Sequence, residues 1–312
     1  MDEARIPMCL VVGFLGSGKT SLLKHIARRH GEKKIAFVVN EFSMLDADGF
    51  ALKQEYEKVI CLPGGSVFCR CLSGQFIQTL RELPDLLELP QCDGVVVEAS
   101  GIADPAVAPQ MLREAKLDRV YRMSRIIAVV EPGNIADLLE QLPNTRSQLL
   151  AADDVIINKI DIYDAKTVGN AAALVRSIND HAVIVKAVFC QTPLELFEGS
   201  SIPKTSGGYA ERADPNFVTA TATTETPVDV NRLLRAINTL RDDLYRAKGF
   251  LASADGAVYL DWTPSTCSRF DLPGHIEPLG FALIGNGKKA PAINALAARL
   301  QSGAFSLAAD GK

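Results

Sequence analysis

Residues 13–20 read Gly-Phe-Leu-Gly-Ser-Gly-Lys-Thr, a complete G-x-x-x-x-G-K-[ST] run. That spacing suits a phosphate chain. Glycines let successive backbone N–H groups turn inward and form a nest for an anion. The helix expected to begin near Lys19 adds the positive end of its dipole. Lys19 is expected to reach β- and γ-phosphates, and the Thr20 hydroxyl to ligate Mg²⁺. Gly13, Gly16, Ser17, Gly18, Lys19, Thr20 and Ser21 are therefore the predicted phosphate cradle.

A second contiguous signal lies far downstream. Asn158-Lys159-Ile160-Asp161 is an N-K-x-D run. The Asp161 carboxylate can accept from both the N1–H and the 2-amino group of guanine. Adenine offers no such donor pair, so buried polar groups would go unpaired with ATP. Lys159 is expected to lay its stem over the base, and Asn158 to tie this loop to the phosphate loop. The nucleotide expected is GTP.

Two acids are placed to complete a Mg²⁺ site. Glu98 ends the apolar run Gly-Val-Val-Val-Glu, and Glu41 follows Lys-Ile-Ala-Phe-Val-Val-Asn. A carboxylate at the C-terminal end of a parallel strand faces the ligand crevice. Lys19 and Glu98 are the candidate catalytic pair. Asp104 reads as a helix cap.

These residues need a scaffold. Met8–Val12, Lys34–Asn40, Val59–Leu62, Gly94–Glu98, Ile126–Val130, Val155–Asn158 and Ala182–Val188 are apolar and β-prone, without polar alternation. Such runs are strands buried on both faces, and helical stretches such as Ser21–Arg29 and Ser73–Leu83 separate most of them. The pattern predicts an α/β fold: a P-loop NTPase with a mostly parallel sheet flanked by helices. Glu198–Asn216 is rich in Ser, Gly, Pro and Lys, which predicts an exposed linker. Beyond it, strands are expected at Phe217–Thr224, Phe250–Ser253, Ala257–Trp262 and Leu279–Ile284. Helices are expected at Val228–Leu244 and Ala290–Leu300. The domains expected are 1–198 for nucleotide, 199–216 as linker and 217–312 as a small α+β domain.

Composition narrows the function classes. The 312 residues are 47% apolar and 22% charged, with a net charge of −4. No Lys/Arg run exceeds a pair, so a general nucleic-acid surface is not expected. No apolar run reaches the roughly 20 residues of a membrane helix. The start of the chain does not read as a signal peptide, because acids precede the apolar run and that run enters a glycine loop. A cytoplasmic location is expected. The seven cysteines are odd in number and irregular in spacing, which is no disulfide framework. Cys69 and Cys71 stand apart as a close pair. Most of the others are expected in the core.

Together, GFLGSGKTSLL, VVNEF, the Gly-Gly segment with its cysteines, VVVEASGIADP and QLLAADDVIINKID closely resemble the CobW-like GTPases, relatives of the UreG, HypB and MeaB group. The resemblance is strong over most of residues 8–190 and weak in the tail, where Arg246–Phe250 is similar to the start of the C-terminal domain of CobW-like proteins. It implies slow GTP hydrolysis coupled to delivering a metal or activating a metalloenzyme. Many members bind a divalent metal through C-x-C-C. This chain keeps Cys69-Arg70-Cys71 but not three cysteines, and Ser43 and Met44 replace the usual Gly and Glu after Glu41-Phe42. With four histidines in all, it lacks the His-rich loop of many zinc-linked members. Two thiolates one residue apart can ligate a transition metal (Zn, Co, Ni or Fe), but a closed tetrahedral site needs four donors. Cys61 is a candidate third donor, and a partner or a second protomer could supply the rest. Arg70 between the pair favours thiolate. The partners expected are a client metalloenzyme or cofactor-dependent enzyme, with a homodimer as a candidate assembly. Two other readings fit fewer of these residues: a regulatory GTPase that docks an enzyme without carrying metal, and a P-loop small-molecule kinase.

Overall fold

The computed structural model describes residues 5–41, 59–63, 73–86, 92–99, 101, 103–199, 217–273 and 280–307. Contacts divide the chain into two units, the first carrying a seven-stranded sheet and the second a five-stranded one.

The first sheet is built from β1 (Ile6–Val12), β2 (Ile35–Glu41), β3 (Val59–Pro63), β4 (Gly94–Glu98), β5 (Tyr121–Val130), β6 (Asp154–Ile157) and β7 (Val183–Lys186). Its order is β3-β2-β4-β1-β5-β6-β7 and every pairing is parallel. All seven C-terminal ends therefore open on one edge, where ligands of such sheets bind.

The unbroken apolar runs follow from cover on both faces. Met8, Leu10 and Val12 of β1 face one cluster, and Cys9 and Val11 face the other. The first cluster is closed by α2 (Ser73–Leu86), α3 (Ala108–Glu114), α4 (Ile135–Gln141), α5 (Pro143–Ala151) and α6 (Ala165–Ile178). The second is closed by α1 (Lys19–Arg29), through Leu22, Leu23, Ile26 and Ala27, and by Leu194, Leu196 and Phe197. Those four helical positions share one stripe, which is why α1 docks with a single face. An alternating polar residue in β1 would have no solvent to reach on either side.

The second unit is an antiparallel sheet of β8 (Phe217–Ala222), β9 (Leu244–Ser253), β10 (Gly256–Trp262), β11 (Cys267–Pro273) and β12 (Phe281–Asn286), in the order β11-β10-β9-β12-β8. Leu251, Val258, Leu260, Trp262, Phe281 and Leu283 pack with Leu233 and Ile237 of α7 (Val230–Asn238) and with Ile293, Leu296 and Leu300 of α8 (Ala290–Gln301).

Two expectations for this unit need correction. The helix expected over Val228–Leu244 stops at Asn238, and a strand begins at Leu244. Arg246 and Lys248 disguise the strand in the sequence. Arg246 is neutralised across the sheet by Asp261, Nη2 to Oδ2 at 2.7 Å, and Lys248 is buried in register with the same residue. The edge strand β11 was not expected either, because Cys-Ser-Arg-Phe-Asp-Leu-Pro mixes polarity without a clear period. Its Phe270 is exposed, and so is Cys267, which falls outside the expectation that most of the other cysteines are core. Cys9 and Cys190 do meet that expectation.

Candidate nucleotide site

The phosphate loop leaves β1 at Gly13 and enters α1 at Lys19. Gly13, Gly16 and Gly18 all take positive φ. At Gly18 (φ 115°) glycine is required twice: the backbone is left-handed, and a Cβ would lie 2.2 Å from Asn158 Nδ2. The first turn of α1 contains no acid, so its N-terminal N–H groups keep their positive field for an anion. Lys19 Nζ folds back across the loop and donates to Gly13 O at 3.0 Å and Phe14 O at 3.4 Å. Ser17 Oγ is buried without a hydrogen-bond partner among the described residues, which suits a cradle made for phosphate oxygens. Thr20 and Ser21 follow in the first turn of α1.

Glu98 is buried at the end of β4, and its Oε1 lies 3.9 Å from Lys19 Nζ. The predicted catalytic pair is thus brought together. The turn after Glu98 is held by a residue that sequence reasoning missed. Gln148 of α5, also buried, donates to Gly101 O at 3.2 Å and Ala103 O at 3.0 Å. Asp104 accepts from Ala106 N at 3.0 Å and caps the short turn at Pro105–Val107, as expected. Burial raises its carboxyl above the usual range.

The base loop follows β6. Asn158 is buried. Its Nδ2 donates to Ser17 O at 2.9 Å, and its Oδ1 accepts from Cys190 N at 2.8 Å. One amide thus ties three loops, including the predicted link to the phosphate loop. Cys190 adds a third contact, its thiol reaching Gly18 O at 3.4 Å. Burial pushes that thiol up to about 12, so it stays protonated. Lys159 sits at φ 61°, and its Nζ pairs with Glu131 Oε2 at 2.8 Å. Tyr163 donates to Glu131 Oε1 at 2.6 Å. Asp161 is exposed in the short turn that follows. Glu131 and Cys190 were also missed by sequence reasoning. Glu131 carried the same signal as Glu98, an acid directly after a parallel strand.

Glu41 ends β2 in register with Pro63, and Cys61 lies in β3 opposite Val39. Cys69 and Cys71, the segment after Glu41 and the expected linker beyond residue 199 lie outside the described residues. Among the described residues no group of three or more His, Cys, Asp and Glu is gathered for a metal. No described helix is long and apolar enough to cross a membrane.

The residues that build this parallel sheet, with its phosphate loop and its base loop two strands away, match a known family model. The model described as "CobW/HypB/UreG, nucleotide-binding domain" matches residues 7–186. The chain belongs to the CobW/HypB/UreG family. The "Zinc chaperone CobW" of Pseudomonas aeruginosa is 31% identical over 228 residues, 63% of this chain and 60% of that protein. The "Zinc chaperone YjiA" of Escherichia coli is 26% identical over 260 residues, 79% of this chain and 81% of that one. The crystal structure of a Zn(II)-bound YjiA GTPase from E. coli aligns over 95% of this chain and 99% of its own at 22% identity. Its TM-score is 0.44, and at that score the superposition adds nothing to the strand order. The CobW/HypB/UreG match ends with β7, and the five-stranded sheet lies beyond it.

Proposed function

We propose that this chain is a GTPase whose nucleotide state is coupled to delivering a transition metal, or a metal cofactor, to a client enzyme in the cytoplasm. The observation that carries the nucleotide half is the Asn158 amide, bonded at once to Ser17 of the phosphate loop and to Cys190. A phosphate loop alone suits any nucleoside triphosphate. A base loop held at fixed distance from it, and ending in an exposed carboxylate at Asp161, suits guanine. Lys19 would take the β- and γ-phosphates. Thr20 and Glu98, with Glu41, would hold Mg²⁺, which supplies positive charge against the phosphate oxygens. The buried Glu98 carboxylate beside Lys19 fits that ion, since carboxylate and hydroxyl oxygens are its preferred donors.

The metal half is supported by the names of the relatives and by Cys69 and Cys71 with Cys61 as a third donor. Zn, Co, Ni and Fe all suit that donor set. A client metalloenzyme or cofactor-dependent enzyme is the partner, and a homodimer could complete the thiolate site. The same reading assigns 1–198 to the nucleotide and 217–312 to a second unit, joined through 199–216.

The test is phosphate release from GTP and from ATP, with Mg²⁺, in the presence and absence of Zn²⁺ or Co²⁺. Slow release from GTP, negligible release from ATP and a metal effect abolished by Cys69→Ser with Cys71→Ser are expected. Equal turnover of the two nucleotides would sink the guanine assignment. A metal effect that survives the double substitution would move the cargo site elsewhere.

A further inference from the structure

The lysine of the base loop, Lys159, pairs with an acid at the end of a neighbouring strand. That acid is Glu131, which follows the last residue of β5. That carboxylate is 2% exposed. Both of its oxygens are engaged by the base-loop segment: Oε2 by Lys159 Nζ at 2.8 Å and Oε1 by Tyr163 Oη at 2.6 Å. Tyr163 reaches it because residue 133 is glycine. A Cβ there would lie 2.3 Å from the Tyr163 ring, so the ring packs closely against the turn that carries Glu131.

The backbone makes this bond consequential. Lys159 is a non-glycine residue at φ 61°, a conformation that L side chains avoid and that persists only where surroundings over-determine it. Its neighbours are fixed by Ile162 N to Lys159 O at 3.2 Å and Ile160 N to Ala187 O at 3.4 Å. These bonds are long for their type, whereas the two bonds to Glu131 are short and one is charge-assisted at both ends. Burial of the carboxylate removes water as a competitor for Lys159.

We propose that Glu131 is a positioning residue for guanine recognition: it anchors Lys159 and Tyr163 so that the 158–161 loop holds its base-reading shape before nucleotide arrives. This rests on the guanine reading above and deepens it. Anchored by its ammonium, Lys159 extends its stem along a fixed line, available as an apolar platform for the base. With Lys159 fixed, Asp161 two residues on meets the N1–H and 2-amino edge without a loop rearrangement, so binding carries less ordering cost.

The experiment measures GDP and ADP affinity of the full chain by titration with fluorescent analogues, for wild type, Glu131→Gln, Glu131→Asp and Tyr163→Phe. Preference of the wild type for GDP tests the guanine reading itself; without it, that reading and this proposal fall together. Given the preference, Glu131→Gln is expected to weaken GDP about tenfold while ADP, which is held by its phosphates, stays within about twofold. Glu131→Asp, which keeps the charge, should recover part of the loss. Tyr163→Phe leaves the ion pair intact and should fold even where Glu131→Gln does not; a loss of about threefold confined to GDP is expected. The proposal is overturned if GDP affinity is unchanged in both Glu131→Gln and Tyr163→Phe. It is equally overturned if GDP and ADP weaken together, which marks general damage to the fold.

Discussion

Asn158 shows how one side chain can set the geometry of a whole site. Its amide uses a donor and an acceptor at once, on Ser17 O and Cys190 N, both inside the protein. Aspartate would lose the donor and place a charge where water is excluded. Alanine would leave a buried carbonyl and a buried N–H unpaired. We expect Asn158→Ala to destabilise the seven-stranded unit by about 2–4 kcal/mol, from the cost of orphaned buried polar groups. Urea denaturation monitored by circular dichroism checks this. A wild-type midpoint would mean that water replaces both bonds. Glu131 belongs at the same scale, because its two short bonds act on a loop it does not belong to.

At the scale of elements, the site depends on how closely α1 can approach the base loop. The helix starts one residue after Gly18, and Gly18 lies against Asn158. The strand-loop-helix motif and the base loop are therefore docked backbone to side chain, with no space between them. Gly18→Ala would force a left-handed alanine and a clash at 2.2 Å with Asn158 Nδ2. A loss of about 2 kcal/mol or more is expected, from strain and displaced packing together. Nucleotide-dependent thermal stabilisation should fall in the same variant, because the phosphate nest moves with the helix start. Thermal shift with and without GTP·Mg²⁺ measures both effects. A variant with unchanged stability and unchanged nucleotide response would refute the close docking.

At the scale of the whole molecule, buried titratable groups set a limit on alkaline stability. Burial raises the Cys190 thiol from 9.0 to about 12, and burial likewise raises Cys9, chiefly by desolvation and then by Asp154. The folded state therefore holds these protons more tightly than the unfolded chain. A raised folded pKa contributes stability that is whole below about pH 9 and is lost as pH climbs toward the folded value. Each thiol is expected to cost about 1 kcal/mol per pH unit above about 9. Urea midpoints at pH 8 and pH 10 should show the seven-stranded unit weakening. Replacing Cys190 by Ala should remove part of that slope. A midpoint that does not move with pH would show that the thiols reach solvent. The five-stranded unit contains neither buried thiol, since Cys267 is exposed.

The sequence by itself determined what is contiguous and what is periodic. The phosphate loop, the N-K-x-D loop and the acid at the end of Gly-Val-Val-Val-Glu are legible because each is a local run tied to a strand end. The parallel sheet is legible because strands covered on both faces must be apolar throughout. Tertiary structure alone decided which strand ends lie side by side. The order β3-β2-β4-β1-β5-β6-β7 sets β4, β1 and β5 together, and no local pattern encodes that neighbourhood. Glu131, Gln148 and Cys190 acquire their roles only there, through bonds to Lys159, Gly101 and Asn158. The first part of the strand at Leu244–Ser253, before the expected Phe250–Ser253, was hidden for the same reason. Arg246 looks like a solvated helix residue until Asp261 on the next strand neutralises it, and a pairing between strands has no signature within either one.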